Sequence, residues 1–332
     1  MSESFDNEFI ILGGSGYFGS NFIYSRLLDQ GNIIINIDWH KPAKAFLHSK
    51  VYNHLQYDLT NDNNVNRIFK RICDIEKNCN KRVLINFAAQ SFVDTSIEAP
   101  EKTLKNNVNI VLNMLKLIDK MEKEHKHIDE VIHISTDEVH ILNKKDIRDV
   151  SAYALSKKIC EDILLKLSKR SRIGGSKGVY KIVRPVNLYG VSSRNSANKY
   201  RLWQKNKCIL TKLMDAYKNP DETMELYLSN STRHFINIQR ACNTLMKVVN
   251  DEIDETRVYL MTYDFHIVIK DLIMEFIDRY SLTNIAILPK NPRGRYEDDG
   301  YGIPEMKQTD NFKMDDFWMI IDWMICEKMD EK

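Results

Sequence analysis

The chain has 332 residues, enough for one large α/β domain or two fused ones around a substantial core. Its 43% hydrophobic and 28% charged content exclude a disordered chain. Lys+Arg 48 against Asp+Glu 46 leaves +2, too balanced a field to grip nucleic acid or an anionic membrane. Six cysteines (Cys73, Cys79, Cys160, Cys208, Cys242, Cys326) are scattered, with no Cys-x-x-Cys pair and no histidines at zinc spacing. That pattern points away from a disulfide scaffold and from a metal site. The N-terminal MSESFDNEF lacks an apolar signal core, and no apolar run approaches a membrane span. The expectation is a soluble, cytoplasmic chain.

In chain order, Phe9-Ile10-Ile11-Leu12 is a short apolar run of the kind that forms a buried parallel strand. Four of the 12 glycines follow it within seven residues: Gly13, Gly14, Gly16 and Gly19. Glycine weakens regular structure, so a cluster marks a backbone that turns tightly or approaches something closely. Residues 21–28 then carry helical spacing, and Ile33-Ile34-Ile35-Asn36-Ile37 is a second β-branched run ending in Asp38. Strand, glycine turn, helix, strand and acid make a dinucleotide-binding βαβ unit with G-x-x-G-x-x-G spacing. Backbone N–H groups of such a turn and the helix N-terminus can meet a pyrophosphate. Asp38 can accept from adenosine ribose hydroxyls and repels a 2′-phosphate, which favours NAD over NADP.

Further apolar runs lie at Val83 to Phe87, Val131 to Ile134 and Tyr180 to Val183, at intervals that leave room for helices. Residues 101–121 place Leu104, Val108, Val111, Leu112, Leu115 and Ile118 on one stripe, and 153–168 do the same with Ile159, Ile163, Leu164 and Leu167. This alternation predicts an α/β fold, a Rossmann-type doubly wound parallel sheet covered on both faces. Residues 1–186 read as the NAD-binding domain with the catalytic residues. Residues 187–332 read as mainly a smaller ligand-binding lobe across the strands' carboxyl ends, with some return of chain to the sheet. His133 reads as a satisfied core histidine. Trp318, Met319, Trp323 and Met324 read as an apolar helix face in the core.

Two segments carry chemistry. Ser135-Thr136-Asp137-Glu138 follows the 131–134 run directly, so adjacent carboxylates sit at a strand's carboxyl end, where a ligand would lie. Tyr153 and Lys157 are four apart on a helix and share a face. An ammonium there would lower the phenol's pKa toward the working range and make it a plausible base.

In these residues the chain resembles the extended short-chain dehydrogenases/reductases of the nucleotide-sugar type, and among them the dTDP-glucose-type 4,6-dehydratases. The resemblance runs through Gly13 to Asn21, Asp58-Leu59, Ala88 to Ser96 with Pro100, and Asn107-Val108. It continues through Ser135 to Val139, Ser151 to Lys157, Asn187 to Gly190, and Arg233-His234-Phe235. It implies that Gly13, Gly16, Tyr17, Phe18, Gly19, Asp38, Asp58, Leu59, Ala88, Ala89, Tyr153 and Lys157 hold NAD. It implies that Tyr153, aided by Lys157 and Thr136, deprotonates the sugar's 4-hydroxyl, that Glu138 removes the C5 proton, and that protonated Asp137 donates to the departing 6-hydroxyl. Hydride leaves C4 for the cofactor and returns to C6, giving a 4-keto-6-deoxy sugar nucleotide. Arg233 would grip the diphosphate, as would one of Arg293 and Arg295; Asn187 and Ser91 would face the sugar nucleotide. The helices near 101–121 and 153–168 would form a homodimer's four-helix bundle.

The acid pair favours a dehydratase, because a 4-epimerase needs no group to expel water. A 4-epimerase on the same fold and a non-catalytic NAD-binding scaffold are the rival readings. Gln90 and Phe92 stand where the glucose dehydratases have Glu and His. The loop from Glu138 to Tyr153 is short, and 191–211 departs from the usual substrate loop. These differences point to a nucleotide sugar other than dTDP-glucose, such as UDP-glucose or UDP-N-acetylglucosamine.

Overall fold

The computed structural model describes residues 5–28, 30–42, 44–75, 79–143, 150–168, 172–173, 176–177, 179–190, 208–253, 255–289 and 307–326. Among them the strands are β1 (Phe5–Leu12), β2 (Ile33–Asp38), β3 (Tyr52–Gln56), β4 (Cys79–Asn86), β5 (Glu130–Ile134), β6 (Tyr180–Arg184) and β7 (Asn187–Tyr189). They continue with β8 (Met224–Tyr227), β9 (Thr232–Asn237), β10 (Arg257–Leu260), β11 (Phe265–Val268) and β12 (Ile285–Leu288), and a two-residue ribbon pairs Arg172–Ile173 with Ser176–Lys177. The helices are α1 (Tyr17–Phe22), which runs on as a π-helical turn over Ile23–Leu27, α2 (Asn64–Ile75), α3 (Val93–Glu98), α4 (Pro100–Lys123) and α5 (Ala152–Ser168). They are followed by α6 (Ile209–Lys218), α7 (Ile238–Asn250), α8 (Ile269–Tyr280) and α9 (Met314–Cys326).

Seven strands form one parallel sheet in the order β10-β6-β5-β4-β1-β2-β3. This is a Rossmann-type sheet, and it explains why the strands read as unbroken apolar runs. Phe9 and Ile11 enter the core on one face, while Ile10 and Leu12 enter the core on the other. A strand covered on both sides has no polar alternation to display. The edge strands are the exceptions: β10 has no buried residue, and β3 has few. Only Tyr52 and Leu55 of its five residues are buried, so it gives no apolar run.

The order reverses between β1 and β4, where Leu12 pairs with Ile37 on one side and Asn86 on the other. Gly13, Asp38 and Phe87 therefore emerge together at the switch point, where such sheets bind ligands. Beyond residue 187, β7, β9 and β11 form a three-stranded sheet and β8 pairs with β12. The chain also returns to the main sheet: β10 adds beside β6, and α7 packs on the helix that starts at Tyr17.

Two expectations need correction here. His133 is buried, but only its Nδ1 has a partner, Asn86 Nδ2 at 3.2 Å; its Nε2 has none, and burial pushes its pKa well down. On α9, Trp318 and Met324 are buried, whereas Met319 is 63% exposed and Trp323 half-buried. The helix is apolar on nearly every side, so its neighbours rather than its pattern decide which face is covered. No helix among the described residues is long and apolar enough to cross a membrane, and no group of three or more metal-ligating side chains forms among them.

Candidate active site

The glycine turn packs against the start of the next crossover. Gly13 has φ +78°, and a Cβ there would meet the Ala88 backbone nitrogen at 2.5 Å; one on Gly19 would meet the Gly14 Cα at 2.8 Å. Gly16, the N-cap of α1, faces only the Gly13 carbonyl at 3.3 Å. The turn is thus built around bare backbone, as approach by a pyrophosphate demands. Asp38 is buried at the end of β2, its Oδ2 accepting from Ser15 N at 2.9 Å and its Oδ1 from His40 N at 2.8 Å. Burial raises its carboxyl, and those two N–H groups pull it back.

Asp58 and Leu59 follow β3 directly, and the Asp38 carbonyl accepts from Tyr57 N at 3.2 Å, so the two acids stand at neighbouring strand ends. Asn113 of α4 donates to the Leu59 carbonyl at 2.9 Å and fixes that corner. Phe18 stacks edge-on against Phe87, 5.2 Å between centroids. Ala88 N is held by Asn86 Oδ1 at 3.0 Å, and Ala89 follows it. A bare-backbone turn, a seated carboxylate and an apolar corner converge at one switch point, and they fit a dinucleotide.

The chemical residues meet one strand over. Ser135 N donates to the Val183 carbonyl at 2.7 Å and Asp137 N to the Pro185 carbonyl at 3.0 Å, so β6 and its continuation seat the segment backbone. Thr136 Oγ1 lies 3.4 Å from Asp137 Oδ1 and accepts from Glu138 N at 3.3 Å. The Tyr153 phenol is hydrogen-bonded to Thr136, and Ser151 Oγ donates to Glu138 Oε2 at 3.5 Å. The structure thus brings Thr136, Asp137, Glu138, Tyr153 and Lys157 to one place.

Asp137 is 3% exposed, and its Oδ2 has no hydrogen-bond partner. Burial first, and the Glu138 charge second, push its carboxyl up to about 7, although Arg233 pulls the other way. One of two adjacent carboxyls is thereby half protonated near neutrality. Burial lowers Lys157 to about 8. Its ammonium donates to the Ile134 carbonyl at 2.7 Å. The expected lowering of the phenol is not what this arrangement produces: burial and the charges of Glu138 and Asp137 hold Tyr153 well above its ordinary value.

Arg233 lies on β9, and Nδ2 of the exposed Asn187 donates to the His234 carbonyl at 3.0 Å. Ser91 is exposed beside Phe92. Asn107 of α4 pins Gln90 from both sides, accepting from its N at 2.7 Å and donating to its carbonyl at 3.1 Å, and also donates to Ser156 at 2.8 Å. Arg293, Arg295 and the segment 191–207 lie outside the described residues. Sequence reasoning missed Glu161 and Arg184, which contact Ser135 and His140 on either side of the carboxylates in the chain. Glu161 is one helical turn beyond Lys157, the only signal that could have found it.

A model of the NAD dependent epimerase/dehydratase family matches residues 9–251. An uncharacterized protein of Schizosaccharomyces pombe, PB2B2.11, is 27% identical over 213 residues, 54% of this chain and 53% of that one. A UDP-glucose 4-epimerase of Streptococcus mutans is 27% identical over 166 residues, 47% of this chain and 45% of that one. The chain thus spans about half the length of the curated relatives it matches. Among solved structures, a UDP-N-acetylglucosamine 4-epimerase from Methanobrevibacter ruminantium aligns with TM-score 0.69 at 18% identity, covering 99% and 100% of the two chains. The dTDP-glucose 4,6-dehydratase DesIV from Streptomyces venezuelae aligns with TM-score 0.70 at 16% identity, covering 95% and 96%. At these identities the likeness is one of fold.

Proposed function

The chain belongs to the NAD dependent epimerase/dehydratase family, and we propose that within it the protein is a nucleotide-diphosphosugar 4,6-dehydratase acting on UDP- or dTDP-glucose or UDP-N-acetylglucosamine. NAD is the family's cofactor, and when bound it supplies the hydride acceptor for C4 and the donor for C6. Gly13, Gly16, Tyr17, Phe18 and Gly19 hold its pyrophosphate side, Asp38 its adenosine ribose, Asp58 and Leu59 its adenine, and Ala88 and Ala89 line the path between. Tyr153, its phenol hydrogen-bonded to Thr136, takes the proton of the sugar's 4-hydroxyl after giving up its own, with Lys157 one helical turn along α5. Glu138 removes the C5 proton, made acidic by the neighbouring C4 ketone. Asp137 donates a proton to the leaving 6-hydroxyl. Arg233 and one of Arg293 and Arg295 clamp the diphosphate, since a guanidinium matches phosphate oxygens bidentately, and Ser91 and Asn187 contact the sugar nucleotide.

One observation carries this reading: a buried carboxyl held up to about 7 beside a second carboxylate. Elimination of water needs one group that donates and one that accepts, and a carboxyl that keeps a proton near neutrality beside a second acid can supply the donor. A 4-epimerase moves hydride to and from C4 alone and has no use for such a donor. The identity to the S. mutans UDP-glucose 4-epimerase keeps that second reading open. Incubating the purified protein with UDP-glucose, UDP-N-acetylglucosamine and dTDP-glucose separates the two by product mass. A product lighter by one water supports the dehydratase; unchanged mass with an inverted C4 supports the epimerase. We also place residues 1–186 as the cofactor domain, 187–332 as mainly the sugar-nucleotide lobe, and the protein in the cytoplasm as a homodimer. In that dimer α4 and α5 form the bundle, with Leu112 at 40% exposure on the α4 face.

A further inference from the structure

On either side of the paired carboxylates in the chain, Ser135 and His140 meet an ion pair that none of the roles above uses. Glu161 on α5 is fully buried, and Arg184 at the end of β6 grips it bidentately, Nε to Oε1 at 2.8 Å and Nη2 to Oε2 at 2.5 Å. The Ser135 hydroxyl also donates to Glu161 Oε1, at 2.5 Å. Arg184 reaches further still, its Nη1 lying 3.0 Å from Nε2 of His140. Ser135 immediately precedes Thr136-Asp137-Glu138, and His140 stands two residues after Glu138 in the 3₁₀ turn Asp137–Asn143. One buried pair therefore touches both ends of the segment that carries the acids. Lys157, one turn before Glu161 on the same helix, takes the Ile134 carbonyl just upstream.

A buried ion pair is weak evidence of stability, because desolvating both charges costs about what their attraction returns. What this pair supplies is direction. A carboxylate with two lone-pair sites per oxygen can accept Ser135 and Arg184 together, and the rigid guanidinium fork has a donor left for His140. We propose that Glu161 and Arg184 are positioning residues that clamp the segment Ser135–His140 at both ends and so hold Asp137 in its dry seat beside Glu138. The groups acting on Asp137 from the packed elements are Glu138 on its own turn, Thr136 and, from β9, Arg233. The clamp acts on Asp137 by fixing the backbone on either side of it. Errors of about an ångström in the placement of reacting groups cost on the order of 100-fold in rate.

The proposal concerns the seat of Asp137 and rests on the dehydratase reading only for its effect on turnover. The test is Ser135→Ala and His140→Ala, each of which removes one arm and leaves the Glu161–Arg184 pair intact, with Ser135→Thr as the conservative control. The Asp137 carboxyl is followed by ¹³C NMR titration, its signal assigned by its loss in D137N. Expected is a midpoint that moves from about 7 toward the ordinary carboxylate range as water enters. Turnover should fall about 10- to 100-fold at unchanged KM, and Ser135→Thr should restore both. An unchanged Asp137 titration and kcat in both alanine variants, even with a lowered Tm, would overturn the clamp and leave the pair as packing. A wild-type protein that releases no dehydrated sugar from any of the three substrates would instead sink the dehydratase reading, and the titration would still decide the clamp.

Discussion

Replacing Asp137 by Asn tests the dry acid through the folded state itself. The carboxyl is 3% exposed and held at about 7 in the fold, against roughly 3.9 in an unfolded chain. Between these values the native state binds the extra proton, so stability falls as pH rises from about 4 to about 7 and is level above. Each pKa unit is worth about 1.4 kcal/mol, so the full cost of ionising Asp137 in place is on the order of 4 kcal/mol. D137N removes that cost without removing the volume. Its amide has its own burial penalty, but that penalty does not change with pH and cancels when two pH values are compared. Urea unfolding of wild type and D137N at about pH 5 and about pH 8 should show the variant gaining about 3 kcal/mol more at the higher pH. A stability difference that is the same at both pH values would show that Asp137 titrates as an ordinary surface acid, and the assignment of a proton donor would fall with it. Water elimination by wild type should run down as pH rises through about 7, and D137N should not support it.

Tyr153→Phe should abolish turnover while the protein retains NAD, read as absorbance of released nucleotide; persisting turnover would remove the phenol from the mechanism. Gly13→Ala drives a Cβ to 2.5 Å from the Ala88 backbone at φ +78° and should abolish NAD retention. Gly31→Ala shares a positive φ of +67°, but its Cβ meets nothing nearer than Asp6 Oδ2 at 3.7 Å. It should cost only about 1 kcal/mol and leave NAD bound, as calorimetric titration would report. Lys181→Met leaves Glu130 its Lys81 partner at 2.7 Å but frees the Val248 and Asp251 carbonyls that Lys181 Nζ now caps at 2.8 and 2.6 Å. Denaturant melts should show a loss of about 1–3 kcal/mol, the cost of leaving buried carbonyls without their donor.

Much of the fold was legible because its elements announce themselves locally. β1, β2, β4, β5 and β6 are covered on both faces and spell continuous apolar runs. The helices α4 and α5 were legible as helices but not by face, since only Val111 and Ile118 of the first stripe and Leu164 of the second are buried, while Met114, Leu117 and Met121 join the core. Where burial is one-sided or shallow the signal fades: β3 with its two buried residues and the polar α2 gave no run to read. The same limit governed α9, where an apolar spelling on most sides left Met319 and Trp318 indistinguishable until neighbours covered one of them.

The candidate site divides along the same line. Asp38 joins the glycine turn through the β1–β2 pairing, but the glycines of the turn, the adjacent Asp137 and Glu138, and the Tyr153–Lys157 pair lie within a few residues of one another along the chain or at a helical repeat. Backbone geometry alone puts such residues together, so the amino-acid order determined them. The protonation of Asp137, the height of the Tyr153 phenol, the capping of α7 by Lys181 and the joining of Glu161 to Ser135, Arg184 and His140 were decided by the tertiary structure. The Glu161–Arg184 and Lys181–Asp251 contacts join groups 23 and 70 residues apart in the chain, and the acid and the phenol take their shifts from burial and the charges around them. Desolvation and long-range pairing have no period to read; they exist only once the sheet and its helices have closed over them.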